Sequence, residues 1–246
     1  MIPEKQISDF VTSLRAAAGD NLQSVILYGS AASGEFNPEF SNVNLLCILR
    51  ETSFAALAVL TPTVERWSGG KRPAPLVFTR DEMERSADVF VIEFLDMREN
   101  HRVLFGEDVL KSLSIKMTLH RAQIEYEMRE KLILLRERLL LAAGQESRLW
   151  ELLQHSLPAF ATLFRHTLIA LGSAAPKSKR EAFQELAARI SFDPSAFLQL
   201  LDIREHKADR RSFEVKEVFA RYLSAIQQVT LAVDTMLDST GPTARD

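Results

Sequence analysis

The sequence has little of what several protein classes require. It contains one cysteine, Cys47, in 246 residues, so an internal disulfide is excluded. Glycine and proline occur only nine times each, which excludes collagen-like and low-complexity chains. No apolar run reaches the roughly 18 residues of a membrane-spanning helix. A net charge of −3 gives no strong field for nucleic acid or for an anionic membrane.

The N-terminus also lacks a recognisable export signal. The first ten residues, MIPEKQISDF, contain no basic segment followed by an apolar core. Because disulfides are typical of oxidising compartments, the lone cysteine also favours a reducing environment. We therefore expect a cytoplasmic protein.

The composition is that of a globular chain with two unlike regions. Hydrophobic residues make up 46% and charged residues 26% of the sequence. Residues 1–110 carry an excess of acidic side chains, whereas residues 111–246 carry an excess of basic ones. Long stretches rich in Leu, Ala, Arg and Glu begin near Ile115. These shifts predict one domain over 1–112, a second over 113–240, and a frayed tail over 241–246.

The first region alternates between strand-like and helix-like patterns. Short apolar runs predict four strands, at 25–28, 42–49, 74–79 and 89–96, with a further extended piece at 101–105. Apolar residues at helical spacing predict helices over 3–17 and 53–67, and a short helix begins near Arg80. Strands alternating with helices indicate a sheet covered by helices.

The second region reads as helical throughout. Helical periodicity predicts five helices, over 115–142, 146–171, 178–190, 195–206 and 211–238. Because the connections are short, neighbouring helices should pack antiparallel as a bundle. The whole chain is therefore expected to be an α+β protein, with a mixed sheet and helices first and a helical bundle second.

A polar constellation follows the first two strands. Gly29 and Ser30 come directly after the apolar run that ends at Tyr28, at the start of an expected helix. Backbone N–H groups at a helix start bind phosphate, and glycine allows a phosphate to approach the chain closely. Asn42 and Asn44 stand two positions apart on the second expected strand, so they should share one face of the sheet.

This constellation resembles the nucleotidyltransferase superfamily, which includes polymerase β and the aminoglycoside nucleotidyltransferases. The family pattern is a hydrophobic residue, Gly-Ser, a loop of similar length, and Asp-x-Asp in a second strand. The resemblance implies a nucleotidyltransferase fold with a mixed sheet, phosphate binding at Gly29 and Ser30, and metal positions at Asn42 and Asn44. It also implies that Glu93 is the third, catalytic carboxylate, with Asp96 as a competitor for the same role. Segments of the helical region resemble a bacterial subgroup with an α-helical C-terminal domain.

The departure from the family lies in the two asparagines. Mg²⁺ prefers carboxylate oxygens, and an amide carries no charge, so Asn42 and Asn44 predict a degenerate metal site. Glu35 and Glu39, in the preceding loop, are alternative ligands. Mg²⁺ is accordingly expected only if the protein is active.

Three functions remain open at this stage. The favoured one is a nucleotidyltransferase-like protein that binds a nucleoside triphosphate but has little or no transfer activity. The second is an active Mg²⁺-dependent enzyme that moves a nucleoside monophosphate to a hydroxyl acceptor, with Glu93 as base. The third is a regulatory or interaction module that forms a homo-oligomer, or binds a partner protein, through the helical region. No membrane partner is expected.

The histidines give a weaker signal. None of the five has a metal-ligand spacing such as HExxH, which favours structural or surface roles. Arg148 and His155, with six residues between them, loosely resemble the Arg-x(4–6)-His signature of the HEPN ribonucleases. Two helical turns separate the pair, so both side chains should face nearly the same side of a helix.

Overall fold

The structure is a computed structural model that describes residues 2–69, 72–142 and 144–238, the last three of these by backbone only. The chain divides into two compact units between Leu119 and His120. The expected tail at 241–246 lies outside the described residues.

The first unit alternates strands with helices, as the sequence pattern predicts. Its elements in chain order are α1 (Glu4–Ala18), β1 (Leu22–Tyr28), α2 (Ser30–Ser33), β2 (Asn44–Leu49), α3 (Phe54–Ala58), α4 (Thr61–Ser68), β3 (Leu76–Thr79), α5 (Arg80–Ser86), α6 (Val91–Glu99), β4 (His101–Gly106) and α7 (Val109–Ser112). A 3₁₀ turn over Gly19–Asn21 joins α1 to β1.

The four strands form one mixed sheet in the order β3-β2-β1-β4. Strand β1 pairs antiparallel with both β2 and β4, whereas β2 and β3 run parallel. The register places Tyr28, at the end of β1, opposite Asn44 of β2 and His101 of β4. The expected mixed sheet is therefore confirmed, and its central strand leads directly into the Gly-Ser turn.

Both faces of this sheet are covered, which explains the continuous apolar runs in β1 and β2. One face packs against α1 and α4, with Leu27, Leu45 and Trp67 in the shared core. The other face packs against α5, α6 and α7. Because successive strand residues alternate between the faces, each buried strand needs apolar residues at every position.

The prediction of a strand over 89–96 is wrong. Residues Val91–Glu99 form helix α6, and the fourth strand is instead the extended piece that begins at His101. The buried residues of α6 include Val91, Phe94 and Leu95, a spacing that fits a helix with a wide buried face. A short apolar run does not distinguish a buried strand from a buried helix, since both bury nearly every side chain.

The single helix expected over 53–67 is divided into two. Helix α3 ends at Ala58, and α4 begins at Thr61 with Pro62 in its first turn. Proline has no N–H to donate and suits the first turn of a helix, so Pro62 starts a new helix instead of interrupting a longer one.

The second unit is helical, as expected. Its helices are α8 (His120–Ala142), α9 (Glu146–Ala170), α10 (Lys179–Ile190), α11 (Ser195–Arg204) and α12 (Val215–Asp238). A 3₁₀ turn over Met117–Leu119 precedes α8, which starts later than predicted, and another lies at Arg210–Ser212. An aromatic cluster fills the core of this unit, formed by Phe160, Phe164, Phe183, Phe192, Phe197 and Tyr222. Within the described residues, none of the helices combines the length and apolarity needed to cross a membrane.

Candidate functional site: the Gly-Ser turn at the end of the central strand

The Gly-Ser turn is held by backbone hydrogen bonds on both sides. The Gly29 amide donates to the carbonyl oxygen of Asn100 at 2.9 Å, which ties the turn to the start of β4. The Gly29 carbonyl accepts hydrogen bonds from the amides of Ala32 at 2.8 Å and Ser33 at 3.1 Å, which start α2. The structure therefore places Gly29 and Ser30 at a strand-to-helix turn, where the sequence predicts them.

Gly29 has a backbone conformation that other residues rarely adopt. Its φ is +76° and its ψ is −151°, a region that is essentially restricted to glycine. A Cβ at this position would lie 3.3 Å from Nδ2 of Asn44. The side chain of Asn44 thus packs directly against the glycine of the turn, and a side chain at position 29 would press on it.

Ser30 contributes a hydroxyl group to this turn. The residue is half-buried, and its hydroxyl has no hydrogen-bond partner among the residues that the structure describes. A hydroxyl at a helix start can donate to a phosphate oxygen. The Gly29 amide, in contrast, is already occupied by Asn100, so a phosphate here would depend more on Ser30 than on that amide.

Asn42 is not on the strand, which corrects the expectation that Asn42 and Asn44 share one strand face. Strand β2 begins at Asn44, and Asn42 lies exposed in the preceding loop. The pairing explains this boundary, because β1 ends at Tyr28, opposite Asn44, and then turns at Gly29. No strand residue of β1 remains to pair with Asn42.

Glu93 lies on a helix and not on a strand. It is a half-buried residue in the first turn of α6, the helix that covers the sheet face carrying Ile26 and Leu46. Asn44 is two residues from Leu46 on β2 and belongs to that same face. The position of Glu93 as a catalytic carboxylate stays a prediction.

The strand next to β2 offers no acidic side chain beside Asn44. The parallel register pairs Leu46 with Leu76. If that register is continued by two residues, Ala74 stands beside Asn44, just before β3 begins. At this extrapolated position, alanine supplies no carboxylate.

The donor set does not fit the magnesium ions that the resemblance to the nucleotidyltransferases implies. Asn42 and Asn44 offer neutral amide oxygens, and Glu35 and Glu39 are exposed loop residues. Within 2–69, 72–142 and 144–238, no group of three His, Cys, Asp or Glu side chains could hold a metal ion. Hard divalent cations require several oxygen ligands and favour carboxylates, so these residues are a poor magnesium site.

Tyr28 directly precedes the Gly-Ser turn and is partly buried. Its side chain packs with the core on the α5, α6 and α7 face, and burial raises its pKa to about 12. The phenol therefore stays neutral throughout the physiological range and can donate a hydrogen bond there.

A histidine and an aspartate, which sequence reasoning missed, lie at the same end of the sheet. His101 faces Tyr28 across the β1–β4 ladder, and its Nε2 lies 3.0 Å from Oδ1 of Asp108. Its Nδ1 lies 3.0 Å from the carbonyl oxygen of Arg98. Both ring nitrogens of His101 therefore lie within hydrogen-bond distance of an oxygen atom.

The carboxylate of Asp108 is stabilised in its charged form. Burial opposes ionisation, but hydrogen bonds from His101 and from the backbone amide of Lys111 outweigh it and lower the pKa of Asp108. The spacing of His101 and Asp108 in the sequence matches no metal or catalytic pattern. The signal that could have found the pair is the Asp108 N-cap of α7 shortly after a strand.

Arg148 and His155 line one groove in the helical unit, as their spacing predicts. This groove has a volume of about 320 Å³ and is also lined by Arg138 and Glu151. Nδ1 of His155 donates to the carbonyl oxygen of Glu151 at 2.8 Å. The nuclease role suggested by the sequence resemblance stays a prediction.

Comparison with known proteins identifies the fold. A similar solved structure is the crystal structure of spectinomycin adenyltransferase AAD(9) from Enterococcus faecialis with ATP and spectinomycin. It matches with a TM-score of 0.60 and 14% sequence identity over 94% of this chain and 99% of that chain. No protein-family model and no curated protein sequence matches this chain. The chain therefore has the fold of an aminoglycoside adenyltransferase over almost its whole length.

Proposed function

We propose that this protein binds a nucleoside triphosphate at the Gly29–Ser30 turn and catalyses little or no metal-dependent nucleotidyl transfer. One observation carries the proposal. The side chain that packs against Gly29, where the family pattern requires a metal-binding aspartate, is the neutral amide of Asn44.

Four features support nucleotide binding. Gly29 has a conformation that brings the backbone close to whatever occupies the turn, and Ser30 offers a hydroxyl without a protein partner among the described residues. The adenyltransferase of the same fold was crystallised with ATP. A neutral pocket repels a free triphosphate less than a pocket with two aspartates does, so binding without a divalent cation is favoured here.

The charge deficit supports the loss of transfer. Two unit charges about 4 Å apart interact by about 4 kcal/mol at an effective dielectric constant near 20. Replacing two carboxylates by amides therefore removes enough attraction to lower cation affinity by orders of magnitude. On the extrapolated register of β3, Ala74 lies next to Asn44 and adds no compensating charge.

Calorimetric titration with ATP, with and without Mg²⁺, tests this proposal. We expect the native chain to bind ATP with an affinity that Mg²⁺ does not raise. The Asn42→Asp/Asn44→Asp double variant should bind at least tenfold more tightly when Mg²⁺ is present, because the restored carboxylates attract the cation. Asn21→Asp is the matched control, since it adds a negative charge just before the start of β1, away from the turn.

The outcome that contradicts the proposal is Mg²⁺-dependent nucleotidylation of any acceptor by the native chain at rates typical of enzymes. Failure of ATP and other triphosphates to bind the native chain would contradict the nucleotide-binding half alone. Binding that Mg²⁺ strengthens in the native chain as much as in the double variant would remove the argument from Asn42 and Asn44.

The second candidate is an active Mg²⁺-dependent nucleotidyltransferase that moves a nucleoside monophosphate to a hydroxyl acceptor. The observation in its favour is Glu93, a half-buried carboxylate on the helix that covers the face of Asn44. On this hypothesis Glu93→Gln abolishes transfer, whereas Glu99→Gln, the same change at an exposed position of α6, leaves it intact. Equal activity of native and Glu93→Gln protein would exclude this mechanism.

A further inference from the structure

A pocket lies at the opposite end of β1 from the Gly-Ser turn, on the side of the sheet that α1 covers. Its volume is about 460 Å³, and its lining includes Leu22, the first residue of β1. Gly29 follows the last residue of the same strand. At about 3.4 Å per residue, the two ends of this seven-residue strand are about 20 Å apart, so the pocket is separate from the Gly-Ser turn.

Four polar side chains and one aromatic ring give this pocket its chemical character. Helix α1 supplies Thr12 and Arg15, the 3₁₀ turn after it supplies Asp20, and Arg50 and Phe105 complete the set. We call the cavity that these residues line the α1 pocket.

The two arginines of the α1 pocket are not neutralised by a carboxylate. Neither Arg15 nor Arg50 forms an ion pair, and neither side chain makes a hydrogen bond, among the residues that the structure describes. Asp20 is the acidic residue of the lining, and it pairs with neither of them. The lining therefore has two positive charges and one negative charge, a balance that favours an anionic ligand.

Both arginines are held in place at the pocket. Cζ of Arg15 lies 4.3 Å from the centroid of the Phe105 ring. This cation–π contact fixes the guanidinium group without using its N–H donors for hydrogen bonds. The backbone amide of Arg50 donates to the carbonyl oxygen of Asn21 at 2.9 Å and lies 3.1 Å from Oδ1 of Asn21. Both guanidinium groups therefore extend from fixed points, with their donors available to a ligand.

The pocket also presents two hydrogen-bond acceptors. The hydroxyl of Thr12 donates its single proton to the carbonyl oxygen of Ser8 at 3.0 Å, so towards a ligand its oxygen can only accept. The carboxylate of Asp20 is a second acceptor, and it has no partner among the described residues. Thr12 and Arg15 are three positions apart on α1, so they share one face of the helix. The ligand that fits combines an anionic group with hydroxyl groups.

We propose that the α1 pocket binds a small phosphorylated polyol, such as a sugar phosphate. Its phosphate contacts Arg15 and Arg50, and its hydroxyl groups donate to Asp20 and Thr12. Guanidinium groups bind phosphate oxygens bidentately, and two of them suit a dianionic phosphate better than a carboxylate with one charge. A cavity of this volume lies within the range of small-molecule sites. The inference concerns this pocket alone and does not rest on nucleotide binding.

Calorimetric titration at low ionic strength tests this proposal with three phosphorylated polyols: glycerol 3-phosphate, ribose 5-phosphate and glucose 6-phosphate. The comparison probes are inorganic phosphate, glucose and gluconate. They carry the phosphate alone, the hydroxyl groups alone, and hydroxyl groups with a carboxylate. We expect the best phosphorylated polyol to bind about tenfold more tightly than inorganic phosphate or gluconate, because only it makes both sets of hydrogen bonds. Glucose should show no measurable binding.

Arginine variants test where the phosphate lies. Arg15→Gln and Arg50→Gln should each weaken binding of the best phosphorylated polyol about tenfold, because each removes a charge-assisted contact. Arg66→Gln is the matched control. Arg66 is exposed on α4, forms no ion pair among the described residues and does not line the pocket, so this variant should bind as the native chain does. Arg15→Lys keeps the charge but loses the paired N–H groups, and should recover only part of the affinity.

Asp20→Asn separates recognition of hydroxyl groups from binding of the anion. Removing the carboxylate should strengthen binding of inorganic phosphate by about threefold, because a repulsion is lost. The preference for the phosphorylated polyol over inorganic phosphate should decrease, since an amide oxygen is a weaker acceptor than a carboxylate. If Asp20 acted only through its charge, both affinities would rise by the same factor and the preference would stay unchanged.

Three results would overturn the proposal. One is that none of the three phosphorylated polyols binds the native chain. Another is binding that Arg15→Gln and Arg50→Gln both leave unchanged, which would place the phosphate elsewhere, including at the Gly-Ser turn. The third is that inorganic phosphate or gluconate binds as tightly as the best phosphorylated polyol, which would mean a general anion site. Urea denaturation of each variant verifies that it is folded, and both arginines are exposed, so we expect stabilities near that of the native chain.

Discussion

Strand β1 has a glycine beside each of its ends, and the two glycines have the same unusual φ of +76°. Gly106 of β4 lies next to the start of β1, where a Cβ would come within 1.9 Å of the carbonyl oxygen of Gln23. Gly29 follows the other end, where a Cβ would meet only the Asn44 amide at 3.3 Å. At the start of β1, the backbone of β4 packs directly against the backbone of β1. At its end, Gly29 packs against the side chain of Asn44, which can move.

The difference separates the end of β1 that packing closes from the end that carries the candidate site. At the start of β1, Ser24 is fully buried and its hydroxyl lies 2.7 Å from the carbonyl oxygen of Glu107. At the finish, Tyr28, Gly29 and Ser30 are half-buried and polar groups gather around them. The packing that holds the start of β1 is therefore separate from the residues of the candidate site.

Of the variants that test this difference, Gly106→Ala should lower the free energy of unfolding the most. The added methyl group clashes with the backbone of Gln23 and also imposes an unfavourable φ on alanine. We expect a loss of about 4 kcal/mol or more in the free energy of unfolding, measured by urea denaturation. A variant as stable as the native chain would mean that β1 and β4 do not approach so closely at this end.

Gly29→Ala should have a smaller effect on stability and a larger one on binding. The conformation of Gly29 costs alanine about 1–3 kcal/mol, and the neighbouring Asn44 side chain can move by a few tenths of an ångström. We expect this loss of stability together with at least a tenfold weaker affinity for ATP by calorimetry. If ATP binds the variant unchanged, the turn is not the phosphate site.

Ser24→Ala measures what polar packing contributes at the closed end. The hydroxyl of Ser24 lies within hydrogen-bond distance of the carbonyl oxygens of Phe105 and Glu107, and alanine would leave both without it. Loss of a buried hydrogen bond costs about 1–2 kcal/mol. The free energy of unfolding should fall by that amount while ATP affinity stays constant. A change in ATP affinity would contradict the separation of the two ends.

Asp108→Asn should have the smallest effect and depend on pH. Asparagine also suits an N-cap, so the change removes the charge facing His101 but keeps the cap of α7. Asp108 is one-third exposed, and such ion pairs contribute about 0.5 kcal/mol.

Because the pKa of Asp108 is lowered from 3.8, the stability advantage of the native chain is complete above that value. The free energy of unfolding should be measured for both chains at several pH values. The difference between them should disappear as the pH falls through the lowered pKa of Asp108. An advantage that persists unchanged below that pKa would assign it to something other than the carboxylate charge.

Much of this fold follows from hydrophobic pattern. The run that ends at Tyr28 predicts a buried strand, and the long periodic stretches after Ile115 predict the helical unit. The pattern fails at 91–99, because burial on most sides of α6 produces the same apolar run that a central strand would. It also fails at Pro62, where one proline permits either an interrupted helix or a new one.

The candidate site was only partly predictable for a similar reason. Gly29 and Ser30 lie at the turn because local sequence specifies it. Whether Asn42 continues β2 depends on where β1 stops, and strand pairing is not visible in a local pattern. The approach of His101 to Asp108 depends on the path of α7 after β4, so no spacing rule reveals it.

The hydrogen bond from the Gly29 amide to Asn100 limits where the chain can accept inserted residues. Asn100 alone connects α6 to β4, so an insertion there would displace the carbonyl that fixes the turn. The loop at 34–43 reaches β2 from the other side, and most of its residues are exposed or half-buried. New segments, such as a recognition insert for another ligand, should therefore be accommodated in that loop and rejected at Asn100.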